Sequence, residues 1–148
     1  MAENTMKLEV ITPERSFYTG DVTFVELNTT EGEVGIYARH IPMTMIIAPG
    51  VLTITEEDGT KKKAALLKGF VEVTETTMSI LAEVAEWPED IDVERAKKAE
   101  ERARKRLEGK SPDIDIARAE LALKRALVRK GLKAVSYTHL TLPTKLEV

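Results

Sequence analysis

The stretch Asp90-Ile91-Asp92-Val93-Glu94-Arg95-Ala96 returns as Asp113-Ile114-Asp115-Ile116-Ala117-Arg118-Ala119, and each copy opens an alanine-rich run with helical spacing. This repeat divides the chain into two physically different parts. Residues 1–88 are rich in Val, Ile, Thr and Gly with period-two alternation, the pattern of strands and tight turns. Residues 89–135 hold two helical runs joined at Gly109-Lys110-Ser111-Pro112, where Gly and Pro break the periodicity. The sequence therefore predicts an α+β chain. An N-terminal antiparallel β-sandwich over 1–88 is followed by an antiparallel two-helix hairpin over 89–135.

Working back from the repeat, the strand part resolves into short alternating segments. Lys7-Leu8-Glu9-Val10-Ile11 alternates until Thr12-Pro13-Glu14 interrupts it, and Phe17 opens a long β stretch that runs to Asn28. Gly20-Asp21 inside that stretch signals a turn or bulge. Pro49-Gly50 and Asp58-Gly59 mark turns around Val51-Leu52-Thr53-Ile54-Thr55, and Ala64-Ala65-Leu66-Leu67 follows as a strand. Gly69 to Val73 and Met78 to Ala82 complete the set. Turn signals about every 8–12 residues fit a small sandwich or barrel.

Working forward, Asp92 or Asp90 caps the first helix and Asp115 or Asp113 the second. A short acceptor side chain satisfies unpaired N–H groups and suits the positive helix end. Ala96, Ala99 and Ala103 form a narrow stripe bounded by Val93 and Leu107; Ile116, Ala119, Leu123, Ala126 and Leu127 form the facing one. Alanines let two backbones approach closely, but each contributes little area at ~25 cal/mol per Å². The hairpin is held lightly.

Composition excludes several functions. The 148 residues contain no cysteine, which removes disulfides, thiolate catalysis and Cys-ligated zinc. No run approaches the ~18 apolar residues of a membrane span, and Met-Ala-Glu-Asn-Thr lacks a signal peptide's basic and apolar segments. The expectation is a cytosolic chain without direct membrane insertion, reaching a membrane only through a partner. The net charge of −3 hides segregation: residues 1–88 carry 7 Lys/Arg against 14 Asp/Glu, and residues 89–135 carry 14 against 10. A basic hairpin after an acidic sandwich can lie against an acidic surface, that of its own β part or of a partner, and the concentration of charge reads as an interaction surface.

No catalytic constellation is present. There is no Gly-x-x-x-x-Gly-Lys phosphate loop, no Gly-x-Ser-x-Gly elbow, and only His40 and His139 offer imidazole. Neither a catalytic residue nor a metal site is expected. The alternative class is a basic helical-hairpin nucleic-acid-binding or adaptor protein, built on residues 97–110. Against nucleic acid, Glu94, Glu100, Glu101 and Glu108 interleave with the basic residues and no aromatic is available for stacking.

A family resemblance enters with Glu31-Gly32-Glu33-Val34-Gly35-Ile36-Tyr37-Ala38-Arg39-His40-Ile41-Pro42. This stretch resembles the signature loop of the epsilon subunit of F-type ATP synthases, with two glycines three apart before a His-x-Pro. Leu67 to Val73 resembles that family's next hallmark strand, and Asp115 to Arg129 its C-terminal helix. Tyr37-Ala38 departs from the Leu-Pro common in relatives. The resemblance covers about Lys7 to Lys133 and implies a non-catalytic stalk subunit of a bacterial rotary machine. The sandwich would bind the gamma subunit and the c-ring. The hairpin would inhibit ATP hydrolysis in the catalytic alpha/beta hexamer. The location would be the cytoplasmic face of the cell membrane, peripherally. Glu33 and His40 match the ring-facing loop, and Gly32, Gly35 and Pro42 its turns.

The resemblance also implies a regulatory ATP site; no other cofactor is expected. Ile91, Asp92, Arg95 and Ala96 match the nucleotide motif of bacterial members, Arg125 and Arg129 the second-helix arginines, and Glu86 an acidic residue before the first helix. Arginines four apart share one helix face and can hold a polyphosphate through charge-assisted bonds. The plainer reading gives Asp92 an N-cap role worth ~1 kcal/mol. The segment 136–148 leaves the helical pattern, contains Pro143, and is read as an extra tail outside the fold.

Overall fold

Seven strands form: β1 (Met6–Ile11), β2 (Ser16–Thr29), β3 (Gly32–Tyr37), β4 (Met43–Ile46), β5 (Gly50–Glu56), β6 (Lys61–Val73) and β7 (Thr77–Glu86). Five lie over the alternating segments, and two, β3 and β4, lie where the sequence reading places no strand. The computed structural model describes residues 4–109 and 115–141, with side chains through residue 134. It divides into two units, Met1–Glu86 and Trp87–Val148.

The first unit is a β-sandwich whose layers are joined by its two longest strands. β2 pairs with β1 along its first half and with β3 and β5 along its second. β6 pairs with β5 at its start, with β4 at its end, and with β7 along most of its length. Both change layer through a bulge. In β2 the buried position Val22 gives way to Val25 and Leu27, and the register with β5 shifts between Val22 and Phe24. In β6, Ala64 and Leu66 give way to Val71 and Val73 across shifts at Leu66, Lys68 and Gly69. An extra residue flips side-chain parity, so one strand can serve two layers.

Two expectations change here. Gly20-Asp21 is regular ladder, opposite Leu8 and Lys7, and the bulge lies just after it. The separately read strands at Ala64 and Gly69 are one strand, β6, because a bulge bends a ladder without ending it.

The pairings β1–β2–β5–β6–β7–β1 close into a circuit of five. An odd circuit cannot alternate direction at every step. The expected antiparallel sandwich is therefore corrected at one pair: β1 and β7 run parallel, Lys7 opposite Thr77 through Ile11 opposite Leu81. The interior is filled by Leu8, Val10, Val22, Val25, Ile36, Leu52, Ile54, Leu66, Val71, Met78 and Ile80, all at 2% exposure or less. Each such side chain contributes about 1.5–3 kcal/mol on burial.

The second unit contains a 3-10 turn (Pro88–Asp90), α1 (Val93–Gly109) and α2 (Ile116–Thr141). Ala96, Ala103, Ala119 and Ala126 are buried as the stripes require, and Leu132 extends the buried line. Ile116 and Leu127, expected in the seam, are exposed. They fall to the side of the line through Ala119 and Ala126, where the alanine seam is too narrow to cover them. The helical pattern was expected to stop at Val135, but the backbone stays helical through Thr141. Extending a formed helix across Ser, Tyr, Thr and His costs only tenths of a kcal/mol per residue, roughly. The cap alternative Asp113 and the joining residues 110–114 lie outside the described residues, as does Pro143.

Candidate functional site

Over its described residues, 115–119, the second copy of the repeat folds like residues 92–96 in the first. The Arg95 N–H donates to Asp92 Oδ1 at 3.1 Å and the Ala96 N–H to the Asp92 carbonyl at 3.0 Å. In the second copy the Arg118 N–H donates to Asp115 Oδ1 at 3.1 Å and the Ala119 N–H to the Asp115 carbonyl at 3.0 Å. The Asp-x-x-Arg-Ala pattern is thus an N-cap followed by a seam alanine. Asp92 is the cap of α1, and Asp90 belongs to the 3-10 turn. Of the nucleotide residues expected from sequence, Ile91 and Ala96 are buried, Asp92 and Arg95 are exposed, and Glu86, Arg125 and Arg129 are half-buried. Ile91 and Ala96 are therefore packing residues, and of this set only the charged side chains offer polar groups to a ligand.

An ion pair bridges the two helices. Glu100 stands on the seam face of α1 between Ala96 and Ala103, and its side chain is only 13% exposed. Its carboxylate accepts from Lys130 Nζ on α2 at 2.7 Å, and from Arg104 Nη2 at 2.8 Å and Nε at 3.0 Å. The Lys130 bond above all, then the Arg104 bond, holds this carboxyl below the usual carboxylate range. One turn on, Lys133 Nζ donates to the Pro88 carbonyl at 2.9 Å. With Lys130 level with Glu100 and the helices antiparallel, Arg129 lies about 14 Å along the axis from Asp92 and Arg125 about 20 Å, at 1.5 Å rise per residue. The motif and the arginine pair are thus not brought to one point. A single ligand touching both must be elongated.

In the first unit, Gly32 has φ +117° in the β2–β3 turn, where Thr29 Oγ1 donates to its carbonyl at 2.8 Å. Gly35 is not a turn residue. It sits mid-strand opposite Glu26, and a Cβ there would lie 2.6 Å from Phe24 Cζ. Its missing side chain makes room for the Phe24 ring, which stacks on Tyr37 at 4.2 Å. The turn after β3 is made by Arg39 at φ 67°, whose N–H donates to the Glu75 carbonyl at 3.0 Å. His40 Nδ1 lies 2.8 Å from the Ile41 carbonyl, so Nδ1 carries the proton in that contact. Pro42 leads into β4. The presumed loop is therefore a strand plus a short turn. Glu33 and His40 lie at opposite ends of β3, about 14 Å or more apart at ~3.4 Å per residue.

Sequence reasoning missed the most distinctive surface. Ile46, Phe70, Leu81 and Ile11 are successive ladder partners across β4, β6, β7 and β1. All face outward, at 61, 45, 38 and 37% exposure. They line a groove of about 590 Å³ together with Pro13 and Gly69. The next row on the same face is polar: Thr44, Glu72, Ser79 and Glu9. Lys68 and Glu83, paired at 3.0 Å, border the other side. The sequence signal is a break in alternation, an apolar residue on both faces at Met45-Ile46-Ile47, Phe70-Val71 and Ile80-Leu81-Ala82.

Known proteins match this architecture. Residues 5–88 match the family model of the ATP synthase delta/epsilon chain β-sandwich domain, and residues 89–130 that of its long α-helix domain. The ATP synthase epsilon chain of Syntrophomonas wolfei is 46% identical over 129 residues, covering 87% of this chain and 94% of the relative. That of Shouchella clausii is 48% identical over 125 residues, covering 84% and 92%. A chain of the Euglena gracilis mitochondrial ATP synthase OSCP/F1/c-ring structure superposes with a TM-score of 0.76 at 27% identity, covering 86% of this chain and 81% of that one. The two family models together cover residues 5–130, and the relatives match over most of their length: the chain belongs to the ATP synthase delta/epsilon chains.

Proposed function

We propose that this chain is a non-catalytic rotor subunit of an F-type ATP synthase, anchored by its sandwich to the gamma subunit of the central stalk. The observation that carries this reading is the apolar row Ile11, Leu81, Phe70 and Ile46 on an otherwise polar outer face. A lone sandwich has no reason to line up four such side chains in water, whereas a permanent protein neighbour does. Gamma is the partner because the relatives are epsilon chains of ATP synthases and the superposed assembly contains F1 and the c-ring. Glu33 and the His40 turn, with exposed Tyr37 and Ile41 beside it, supply two separate contacts toward the rotor ring. The assembly would hold the chain peripherally at the cytoplasmic face of the membrane and couple it to proton flow; no described helix is long and apolar enough to cross.

The hairpin is the regulatory part in this reading. Its basic surface would meet the catalytic alpha/beta hexamer and lower ATP hydrolysis. ATP would act as a bound regulator, lying along the helices with its ends at Asp92–Arg95 and at Arg125–Arg129. The axial span from Asp92 to Arg129, about 14 Å at 1.5 Å per residue, suits an adenosine at one end and a polyphosphate at the other. The test is assembly and hydrolysis with and without residues 89–148. The reading expects residues 1–88 alone to bind gamma, and the truncated complex to hydrolyse ATP faster. Unchanged hydrolysis removes the regulatory role; a folded 1–88 fragment without affinity for gamma removes the rotor role.

A further inference from the structure

A seam made of alanines specifies closeness but not position. Ala96 and Ala103 on α1 and Ala119 and Ala126 on α2 are the buried alanines of the seam, and both pairs are seven residues apart. Sliding one helix by seven residues, about 10 Å, brings methyl against methyl again. Packing alone therefore offers little to choose between the two alignments. In coiled coils a single polar pair at such a seam fixes the register. Glu100 is the group placed to do so here, between Ala96 and Ala103, bonded to Lys130 across the seam at 2.7 Å.

We infer that Glu100 is a positioning residue for the nucleotide site: by holding Lys130 it fixes the axial register that sets Arg125 and Arg129 against Asp92 and Arg95. This rests on the nucleotide-binding reading above. Arg129 is the immediate neighbour of Lys130, so its placement along α1 follows directly from the pair. Arg104, on the same helix as Glu100, orients the carboxylate without crossing the seam. The Lys133 bond to the Pro88 carbonyl is the second tie of α2, and it too is made in the observed register.

The test uses the full chain, whose lack of cysteine lets two spin labels be placed cleanly. Lys98→Cys and Ala134→Cys are both exposed and lie near the open end of the hairpin. The parent should give one narrow label-to-label distance. Glu100→Gln, nearly isosteric, should broaden or shift it by up to about 10 Å and weaken ATP binding at least about fivefold, the lower range of measured couplings between sites. Lys130→Met should do the same, and the double variant should be no worse than either single one. Arg104→Met should leave the distance in place. An unchanged distance in Glu100→Gln and Lys130→Met overturns the inference, as does a changed distance with unaltered ATP affinity. Should the parent itself bind no ATP, the nucleotide reading fails, and the distance measurement alone decides whether Glu100 sets the register.

Discussion

Gly69→Ala should damage the sandwich far more than a glycine-to-alanine change in a strand ordinarily does. Gly69 sits in the β6 bulge at φ +144°, a region side chains rarely enter. A Cβ there would collide with the Leu81 carbonyl oxygen and lie 2.8 Å from Ala82 Cα on β7. Carbon–carbon contacts settle at about 3.5–4.0 Å, so the two backbones must part by about 1 Å. The backbone conformation costs of order 1–3 kcal/mol. Parting the strands weakens neighbouring ladder bonds at about 1 kcal/mol each, and it disturbs the bond from the Ile47 N–H to the Gly69 carbonyl, 2.9 Å. The total is about 3–5 kcal/mol, among the largest single-substitution effects. Urea unfolding followed by far-UV circular dichroism measures it, and the melting temperature should fall by at least about 12 °C. A loss within about 1 kcal/mol, or a gain from reduced chain entropy, would refute the reasoning and show the bulge to be compliant.

Other substitutions separate roles that the sequence leaves merged. Tyr18 donates to Glu56 Oε2 at 2.6 Å; burial first, and then this bond, raise its pKa well above the ordinary value near 10. A folded pKa above the unfolded one gives stability that is full below pH ~10 and lost as pH rises further, so Tyr18→Phe should flatten the alkaline arm of a stability–pH profile. Asp92→Asn should keep unfolding stability within a few tenths of a kcal/mol, roughly, whereas Asp92→Ala should lose about 1 kcal/mol, because Asn caps as well as Asp does. Arg129→Gln should remove most of the stabilisation by ATP, read as the difference between ATP-bound and ligand-free melts in thermal shift and checked by calorimetry.

The elements were legible because alternation and helical spacing follow directly from burial, as in Lys7 to Ile11 or Ala96 to Ala103. What escaped were features that depend on the partner strand. Gly20-Asp21 signals the β2 bulge but just ahead of its place between Val22 and Phe24, and the β6 bulge at Lys68-Gly69 reads as a gap between two strands. The parallel β1–β7 pair follows from counting strands around that circuit, which requires the topology first. Gly35 looks like a turn glycine until Phe24 is found above it. The repeat made Asp92 and Asp115 readable as caps, and that same duplication shows the local motif to be helix architecture before it is anything else. Glu100 and Lys130 were hidden because thirty residues separate them and each resembles an ordinary surface charge. The apolar row was written in the sequence as broken alternation, at Phe70-Val71 and Ile80-Leu81, but only the ladder shows that the breaks line up.

The rotor reading turns on that row, and one measurement addresses it directly: the affinity of the full chain carrying Phe70→Glu and Leu81→Glu for its cognate gamma subunit. Both side chains are exposed in the isolated chain, so the variant should keep its circular dichroism spectrum and melt close to the parent. Central interface residues cost about 2 kcal/mol or more each when lost, so affinity for gamma should fall at least about a hundredfold. A folded double variant that binds gamma as tightly as the parent would contradict the account.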